Sequence, residues 1–397
     1  MTFSFEITHK DKGTKARAGV IKTSHGEIKT PYLVPVATRG YIIALTEEDM
    51  KLLNLQCTLA NTYHLHLKPG DEEIKKVGGL HKFMKFNNPI FTDSGGFQAF
   101  SLGLGRETSA RKIGFFPEEL EKLKNKGENL ATIREDGVEF TSVYDGSKKF
   151  MGAKESMQIQ SNLGADIIMA FDECTSAMSP KEYIEESMHR SHRWEVESLK
   201  YHDKSQAIYG IIHGGWFKDL RLESTKLINS LPFDGIAIGG SLGKTKKDMY
   251  EVLDWIIPVL DERPRHMLGI GWIDDIFECV ERGIDTFDCV EMTRIARHGS
   301  LYISPDEGGS KKNKFTIDIH KSKYKEDKSP IDKNCPCPIC KKYSRAYLHS
   351  LAKAKDKEYG RLATMHNISF IHNLCYEIRR AIENNSFHDL KSFWIKD

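Results

Sequence analysis

Acidic side chains stand at the ends of three short apolar runs in this chain of 397 residues. Asp93 follows one run, Asp172 closes a second, and Asp288 lies near the end of a third. If the runs are parallel strands of one barrel, their ends share the rim where such enzymes carry catalytic groups. Two carboxylates there can act as nucleophile and general acid–base. A helix cap or loop ion pair is the commoner explanation of any single acid, and the reaction class stays open.

Glycine-containing turns close the neighbouring runs. His213 precedes Gly214-Gly215, the turn Gly239-Gly240-Ser241 ends another run, and Gly269 and Gly271 end the next. Because glycine has no Cβ, these turns let a ligand approach backbone amides closely. Three acids and three such turns together favour a ligand site over unrelated caps.

Three cysteines lie within six residues of one another, in the order Cys335-Pro336-Cys337-Pro338-Ile339-Cys340. This spacing places three thiolates within reach of one tetrahedral ion, and a fourth ligand from downstream would close a structural zinc site. The downstream candidates are His349, His366, His372 and Cys375. The alternative is a reduced cluster without metal, or a stray disulfide. The spacing of the eight cysteines does not match a secreted disulfide framework.

Eight apolar runs must position these groups. They are Pro31–Ala37, Cys57–Tyr63, Pro89–Gly96, Asp166–Glu173, Ala207–Gly214, Asp234–Ser241, His266–Gly271 and Thr286–Met292. Most are continuous, which is typical of parallel strands buried on both faces. Helical patterns fill most gaps: Leu45–Leu53 after a Thr46 cap, Ala153–Leu163, a helix that starts with the capping box Ser179-Pro180-Lys181-Glu182, Leu220–Leu231, Lys247–Leu260 and Ile273–Gly283. This alternation predicts an α/β fold, a (β/α)₈ TIM barrel.

The pattern also predicts a division of the chain. Residues 1–303 form the catalytic barrel, with an insertion around 103–130 that is an added helix or surface loop at Pro117–Asn129. Residues 304–397 form a basic zinc-binding subdomain whose C-terminal helices close the barrel.

Charge is distributed unevenly. Lys311–Lys357 contains 14 Lys and Arg against 5 Asp and Glu, a balance of +9, whereas the whole chain carries +2, which leaves −7 elsewhere. A basic segment on an acidic body favours a polyanionic partner, although a solvated lysine-rich loop explains it too. The sequence shows neither an apolar run of transmembrane length nor a signal-peptide core, so we expect no membrane contact and a cytoplasmic location.

The motifs resemble one family, the tRNA-guanine transglycosylases of the bacterial type. The matching segments are Asn61–Leu65, Phe91–Gln98, Met169–Thr175, Gly283–Val290, the cluster Cys335-x-Cys337-x-x-Cys340 and Leu362–Asn367. They follow the family's order, and the resemblance extends from Phe5 to Phe393. It implies an irregular (β/α)₈ barrel with a structural Zn²⁺ site. The implied reaction exchanges the wobble guanine of GUN anticodons in tRNA for a 7-deazaguanine base.

The resemblance implies a role for each site residue. Asp288 is the nucleophile that forms a covalent aspartyl-ribosyl intermediate, and Asp93 is the general acid–base. The base-binding positions are Asp172, His213, Gly240, Ser241, Phe97, Leu268 and Gly269; the tRNA contacts are Arg294 and Arg297; and the zinc ligands are Cys335, Cys337, Cys340 and His366. The implied partners are the anticodon loop of tRNA, the 7-deazaguanine base and a second copy of the chain in a homodimer.

Three positions depart from the family pattern. His213 replaces a glutamine, and histidine reads a purine edge only in a chosen tautomer. In an ungapped alignment, Gly243 replaces a valine, which we expect to enlarge the base pocket, and Thr245 replaces a glutamate that would pair with an aminomethyl ammonium. These changes predict that queuine is a better incoming base than its aminomethyl precursor.

Other functions remain open. The chain could be an altered family member that acts only as a tRNA-binding subunit, or one that uses another base or DNA. A metal-dependent barrel hydrolase is a further alternative, although the cysteine cluster lies outside the strand ends.

Overall fold

The computed structural model describes residues 3–103, 131–142 and 144–396. Its strands are β1 (Ser4–Lys10), β2 (Arg17–Thr23), β3 (Gly26–Thr30), β4 (Tyr32–Pro35), β5 (Thr58–Ala60), β6 (Ile90–Thr92), β7 (Ala131–Ile133), β8 (Val138–Thr141), β9 (Lys148–Met151), β10 (Ile167–Met169), β11 (Ala207–Ile212), β12 (Gly235–Ile238), β13 (Arg265–Met267), β14 (Thr286–Cys289), β15 (Ser300–Tyr302) and β16 (Thr316–Asp318). Its helices are α1 (Glu47–Leu52), α2 (Thr62–Leu67), α3 (Asp71–Lys76), α4 (Gly79–Met84), α5 (Gly96–Gly103), α6 (Ala153–Leu163), α7 (Lys181–Tyr201), α8 (Lys218–Ser230), α9 (Lys246–Ile256), α10 (Ile273–Glu281), α11 (Glu291–Arg297), α12 (Pro338–Lys342), α13 (Arg345–Ala354), α14 (Lys357–Glu383) and α15 (Phe387–Trp394).

Eight parallel strands form the barrel, in the order β4, β14, β13, β12, β11, β10, β6, β5. A parallel bridge between Val36 and Leu59 joins the two end strands, and the Ala37 amide donates to the Leu59 carbonyl at 2.7 Å. The eight apolar runs therefore correspond to the eight barrel strands, and the predicted fold class is confirmed. Tyr32, Phe91 and Tyr209 fill the barrel interior as fully buried side chains.

Aspartates pin the N-terminal ends of the barrel strands. Asp166, Asp234 and Asp285 each immediately precede or begin a strand segment, and each accepts a backbone N–H from the neighbouring strand. The donors are the amides of Ile90 at 3.0 Å, Ile208 at 2.9 Å and Arg265 at 2.7 Å, respectively. Each carboxylate thus accepts a backbone N–H near a strand end that would otherwise lack an interstrand partner.

Two antiparallel sheets that the sequence pattern did not reveal flank the barrel. Strands β1, β2 and β3 form a meander whose Ile21 and Ile28 pack against the barrel interior. Strands β7, β8 and β9 form a second meander in the segment that follows the predicted insertion. The predicted element at Pro117–Asn129 lies outside the described residues.

The C-terminal part begins with the β15–β16 hairpin and the short helix α12. Helix α14 then packs against α11, β2 and β4, so it occupies the outer layer beside the last and first barrel strands. His372 of this helix lies 3.3 Å from the Leu33 carbonyl of β4. This is the layer where a regular barrel carries its eighth helix. Within residues 3–103, 131–142 and 144–396, no helix combines the length and apolar content needed to cross a bilayer.

Helix boundaries agree with the sequence patterns, with one error. Thr46 caps α1 through a capping box, as predicted. The capping box at Ser179-Pro180-Lys181-Glu182 is wrong: Pro180 itself occupies the N-cap position, and no side chain caps α7. Proline has no N–H and holds an extended backbone here, with ψ of 157°, so the helix begins one residue later.

Candidate active site and metal cluster

The predicted acids meet at the C-terminal mouth of the barrel. Asp93 follows β6, Asp172 lies beyond β10, and Asp288 is the third residue of β14. Strands β4 and β5 stand between β6 and β14 in the closed ring, so Asp93 and Asp288 lie on the same rim, three strands apart.

Asp93 is half-buried and held by the start of α2. Its Oδ1 accepts the Thr62 amide at 2.8 Å, its Oδ2 accepts the Asn61 side-chain amide, and its carbonyl accepts the Thr62 hydroxyl at 2.5 Å. Burial raises the pKa of Asp93 to about 7; the Thr62 amide opposes this shift, and the charge of Asp288 reinforces it. A carboxyl group with this pKa can both donate and accept a proton near neutrality.

Asp288 is half-buried and oriented by two groups of β13 and its turn. Its Oδ1 accepts the Gly269 amide at 3.1 Å and lies 3.2 Å from His266 Nε2. The His266 ring is fully buried, stacks on Phe91 at 5.4 Å, and places its Nδ1 2.9 Å from the Thr286 hydroxyl. These contacts engage one carboxylate oxygen and fix the direction of the side chain. Predicted as a base-binding position, Gly269 holds the proposed nucleophile through its amide, at a φ of +73° that favours glycine.

Asp172 and His213 form a buried pair next to Asp93. Asp172 Oδ1 accepts the Ser94 hydroxyl at 2.7 Å, and its Oδ2 lies 3.3 Å from His213 Nε2. Glu195 from α7 approaches the same imidazole nitrogen at 4.0 Å. Burial raises the pKa of Glu195 well above its usual value, and the charge of Asp172 adds to this shift. In the described chain, neither His213 Nε2 nor Glu195 Oε1 has a partner in hydrogen-bonding geometry.

Arg221 of α8 joins the two glycine turns. This fully buried guanidinium donates to the carbonyls of Ile212 at 2.8 Å and Gly215 at 2.7 Å, on one turn. It also donates to Gly239 at 3.0 Å and Ser241 at 2.9 Å, on the other. Burial lowers the pKa of Arg221 to about 9, so the side chain keeps its charge at neutral pH. A single cation thereby fixes the distance between the loops that follow β11 and β12.

The remaining predicted base-binding residues line the same mouth. Phe97 at the start of α5 is 41% exposed, and Leu268 is partly buried against the barrel interior. Gly240 has a φ of +67°, and a Cβ there would lie 3.1 Å from His213 Nδ1. Ser241 is buried, and its hydroxyl has no hydrogen-bond partner among the described residues. A partly exposed aromatic side chain and unsatisfied polar atoms suit a site that receives a flat heterocycle.

The expected enlargement of the pocket at Gly243 is wrong. Gly243 has a φ of +104°, and a Cβ added there would lie 2.3 Å from the Cβ of Asp248. Asp248 also accepts the Lys244 amide at 2.7 Å and completes the capping box of α9 with Thr245. The missing side chain therefore leaves no extra room, because the helix start already fills that volume.

Arg294 and Arg297 lie on α11, directly after Asp288. Arg294 pairs with Glu291 one turn earlier. Arg297 is half-buried, and its Nη1 lacks a hydrogen-bond partner in the part of the chain that the structure describes. Burial and the neighbouring Arg294 lower the pKa of Arg297. Both arginines therefore lie on the helix that directly follows the strand of the proposed nucleophile.

The cysteine cluster and His366 of α14 converge as predicted. His366 Nδ1 lies 3.9, 3.5 and 3.4 Å from the sulfurs of Cys335, Cys337 and Cys340. These separations fit the edges of a tetrahedron around an ion with Zn–S of about 2.3 Å and Zn–N of about 2.0 Å. His366 Nε2 donates to the Tyr302 carbonyl at 2.9 Å, which leaves Nδ1 free to bind metal. The four residues could hold a metal ion, and all eight cysteines are free.

Asn367, the residue after His366, connects α14 to the neighbouring elements. Asn367 donates to the carbonyls of Met292 at 3.0 Å and Ser300 at 3.1 Å, and accepts the Tyr302 amide at 3.1 Å. Asn367 thus holds α14 against α11, which carries the two arginines, and against β15.

Comparison with known proteins settles the family. The family described as queuine tRNA-ribosyltransferase matches residues 11–397. The chain belongs to this family. A relative from Archaeoglobus fulgidus is 49% identical over 403 residues and covers 100% of both chains. The queuine tRNA-ribosyltransferase of Roseiflexus sp. is 40% identical over 412 residues with 100% coverage of both, and that of Halothermothrix orenii is 39% identical over 399 residues, covering 100% of this chain and 98% of its own. The resemblance drawn from the motifs is confirmed.

Three residues that the structure brings into the site were absent from the sequence prediction. His266 orients Asp288, Glu195 approaches His213, and Arg221 joins the two turns. His266 starts a predicted strand, which placed it at the end away from the mouth; in the structure it is the middle residue of the three-residue β13, and its ring reaches Asp288. Glu195 and Arg221 lie on helices where charged residues usually face solvent, and no local signal distinguishes them.

Proposed function

We propose that this protein is a tRNA-guanine transglycosylase that replaces the wobble guanine of GUN anticodons with a 7-deazaguanine. The observation that carries the proposal is the pair Asp93 and Asp288 on one rim, near enough for the charge of Asp288 to raise the pKa of Asp93. One carboxyl has a pKa near 7, and the other is held by His266 and the Gly269 amide. Paired carboxyl groups in different environments suit opposite roles in a glycosidic displacement.

In the first step, a carboxylate oxygen of Asp288 attacks the ribose C1′. The C1′–N9 bond breaks, its electron pair goes to the guanine, and protonated Asp93 supplies the proton that neutralises the departing base. A covalent aspartyl-ribosyl intermediate remains. In the second step, Asp93 accepts a proton from the incoming base, whose nitrogen attacks C1′ and releases the Asp288 carboxylate. Two successive displacements retain the glycosidic configuration.

The base must leave the anticodon stack before it can reach these groups. We infer that it stacks between Phe97 and Leu268, an arrangement worth about 1–3 kcal/mol per base. Asp172 accepts hydrogen bonds from the donor edge of the base, while His213 and the Gly240 amide contact its carbonyl side. Unsatisfied His213 and Ser241 atoms support this placement, because a bound purine would supply the missing partners.

We still propose that queuine is a better incoming base than its aminomethyl precursor, now on the evidence of Thr245 alone. The Gly243 argument no longer supports it, since that space is filled. The Thr245 hydroxyl caps α9 by accepting the Asp248 amide at 3.2 Å. Threonine has no carboxylate, so this position cannot pair with an aminomethyl ammonium. Competition between queuine and the precursor for tRNA containing labelled guanine tests this. A clear preference for the precursor contradicts it.

Arg294, Arg297 and the basic segment Lys311–Lys357 are proposed to bind tRNA phosphates. The position of both arginines on α11, directly after the strand of Asp288, supports phosphate contacts near the flipped nucleotide. Affinity for tRNA should then fall steeply as salt rises. Homodimer formation and a cytoplasmic location stay predictions from the resemblance.

We propose Zn²⁺ as the ion at the cluster of Cys335, Cys337, Cys340 and His366. Four protein ligands leave no position for substrate, so the ion would stabilise the fold and take no part in the reaction. Chelation of the ion should unfold the C-terminal part, and the enzyme should lose its activity as this part unfolds. Loss of exchange in a fully folded, metal-free chain would instead favour the metal-dependent hydrolase.

The central test is to trap the intermediate. The enzyme is incubated with tRNA and without an incoming base, quenched in denaturant, and examined for a covalent protein–RNA band. We expect a band with the parent enzyme and its absence in Asp288→Asn. Absence of adduct and exchange in the parent would favour a tRNA-binding subunit, and a band with duplex DNA but not tRNA would favour a DNA-modifying paralogue.

A further inference from the structure

A second cluster of metal-binding side chains lies at the opposite end of the barrel from the acids. His25 occupies the turn between β2 and β3, His81 belongs to α4, and Asp166 precedes β10. His25 Nδ1 lies 2.7 Å from Asp166 Oδ1, and His81 Nε2 lies 3.1 Å from Asp166 Oδ2. One ligand atom from each residue falls within 4.8 Å of the other two. Three elements far apart in sequence thus bring two imidazole nitrogens and a carboxylate together.

The two imidazole rings adopt an unusual arrangement. They stack face to face, with centroids 3.6 Å apart and planes inclined by 18°, and both direct a nitrogen at the same carboxylate. Neutral imidazole nitrogens and a carboxylate are ligands for a transition-metal ion.

Burial at the cluster is graded from the core to the solvent. The side chain of Asp166 is 3% exposed, that of His81 is 12% and that of His25 is 42%. A cavity of about 110 Å³ adjoins Asp166 and His25 and is also lined by Ser205 and Gln206. An ion could approach from the His25 side, with water from the cavity completing its coordination.

We propose that His25, His81 and Asp166 form a second divalent-metal site, selective for Zn²⁺, Ni²⁺ or Co²⁺ over Mg²⁺ and Ca²⁺. Two imidazoles and one carboxylate suit borderline ions, whereas Mg²⁺ and Ca²⁺ need oxygen ligands. Both nitrogens bind the ion as acceptors, so the ion replaces the two imidazole contacts with the Asp166 carboxylate. The ion would tie the N-terminal sheet and α4 to the start of β10, away from the reacting base.

Metal stoichiometry tests the site. The untagged chain, with its cysteine cluster loaded, is dialysed against excess Zn²⁺ and then against metal-free buffer, and bound zinc is measured by mass spectrometry. We expect about two ions per chain for the parent and about one for His25→Gln and for His81→Gln, because each substitution removes a ligand. The matched control is His66→Gln, since His66 Nδ1 makes a 2.7 Å bond to Asp71 with a single imidazole. It should keep about two ions.

Three results would overturn the proposal: one ion in the parent, two ions in both site variants, or an equal loss in His66→Gln. Hydrogen exchange covers the case in which a variant fails to fold. In the parent, added Zn²⁺ should slow exchange in residues 23–26 and 79–84, and unchanged exchange at saturating Zn²⁺ also contradicts the site. Cobalt substitution separates the two centres, because only the cysteine cluster gives sulfur-to-cobalt charge-transfer absorption.

Discussion

The two ends of the barrel use the same residue types in opposite ways. At the N-terminal end, Asp285 accepts Arg17 through both oxygens, at 2.9 and 2.5 Å, together with the Arg265 amide at 2.7 Å. At the C-terminal mouth, only three residues farther along, Asp288 contacts one amide and one imidazole and receives no cation from the described residues. Complete pairing at one end stabilises the barrel, and incomplete pairing at the other leaves groups able to react.

Arginines show the same contrast. Arg263 at the N-terminal end donates to the carbonyls of Leu231, Phe233 and Asn229 at 2.7–2.9 Å and pairs with Asp261. Arg221 makes the equivalent carbonyl contacts at the mouth, without a carboxylate in the described chain. Each arginine joins adjacent loops, but the loops joined by Arg221 are those that line the proposed base pocket. Four predictions test this comparison between the two ends.

The largest effect is expected from Asp288→Asn. The amide keeps the size of the side chain but is a poor nucleophile, so exchange of labelled guanine should fall by roughly 10⁴-fold or more. The melting temperature should stay close to that of the parent, because Asp288 makes few stabilising contacts. Exchange at the parental rate in the purified variant would rule out the proposed nucleophile.

The next effect concerns Asp93 and pH. Its pKa is raised from 3.8 to about 7, so the side chain keeps its proton up to that pH and loses it above. Guanine release in a single turnover needs the protonated form and should therefore slow as pH rises beyond about 7. Asp93→Asn should reduce release by about 10²–10⁴-fold and abolish this dependence. An unchanged pH profile in the variant would assign the titration to another group.

At the N-terminal end, Asp285→Asn should act on stability. The substitution leaves Arg17, which is 3% exposed, without its counter-charge, so the free energy of unfolding should fall by about 3–5 kcal/mol. Urea denaturation measures this. Asp254→Asn removes an exposed pair with Arg282 and should cost no more than about 1 kcal/mol. Equal losses in the two variants would contradict the assignment of a stabilising role to Asp285.

The smallest effect is expected from Arg221, a positioning residue. Arg221→Met should raise KM for the incoming base by about tenfold, since the turns lose charged hydrogen bonds, while kcat falls less. Arg221→Lys should recover part of the loss by restoring the charge. The control Arg263→Met should lower the melting temperature and leave KM unchanged. Parallel changes of KM in both methionine variants would mean that Arg221 acts only on stability.

Much of the fold and site was readable from local patterns. Every barrel strand lies in one of the eight apolar runs, apart from the first residue of β13, because strands buried on both faces need continuous apolar sequence. The N-terminal meander was missed because β1 is mostly exposed, with a burial pattern that lacks a fully buried face. The prediction of an enlarged base pocket at Gly243 was wrong, because the sequence does not show in which direction a Cβ would point or that Asp248 fills that space.

The sequence by itself determined which chemical groups are present and in what order the strands offer them. Three features are local in sequence and can be recognised without the fold: the spacing of the three cysteines, the acids after the apolar runs and the glycine turns. Only the tertiary structure decided which of these groups are paired. The pKa of Asp93 depends on burial and on Asp288, which lies 195 positions away in a chain of 397 residues, and His213 meets Glu195 only because α7 packs against β11. Desolvation and Coulomb interactions act through space, so a sequence pattern cannot assign them.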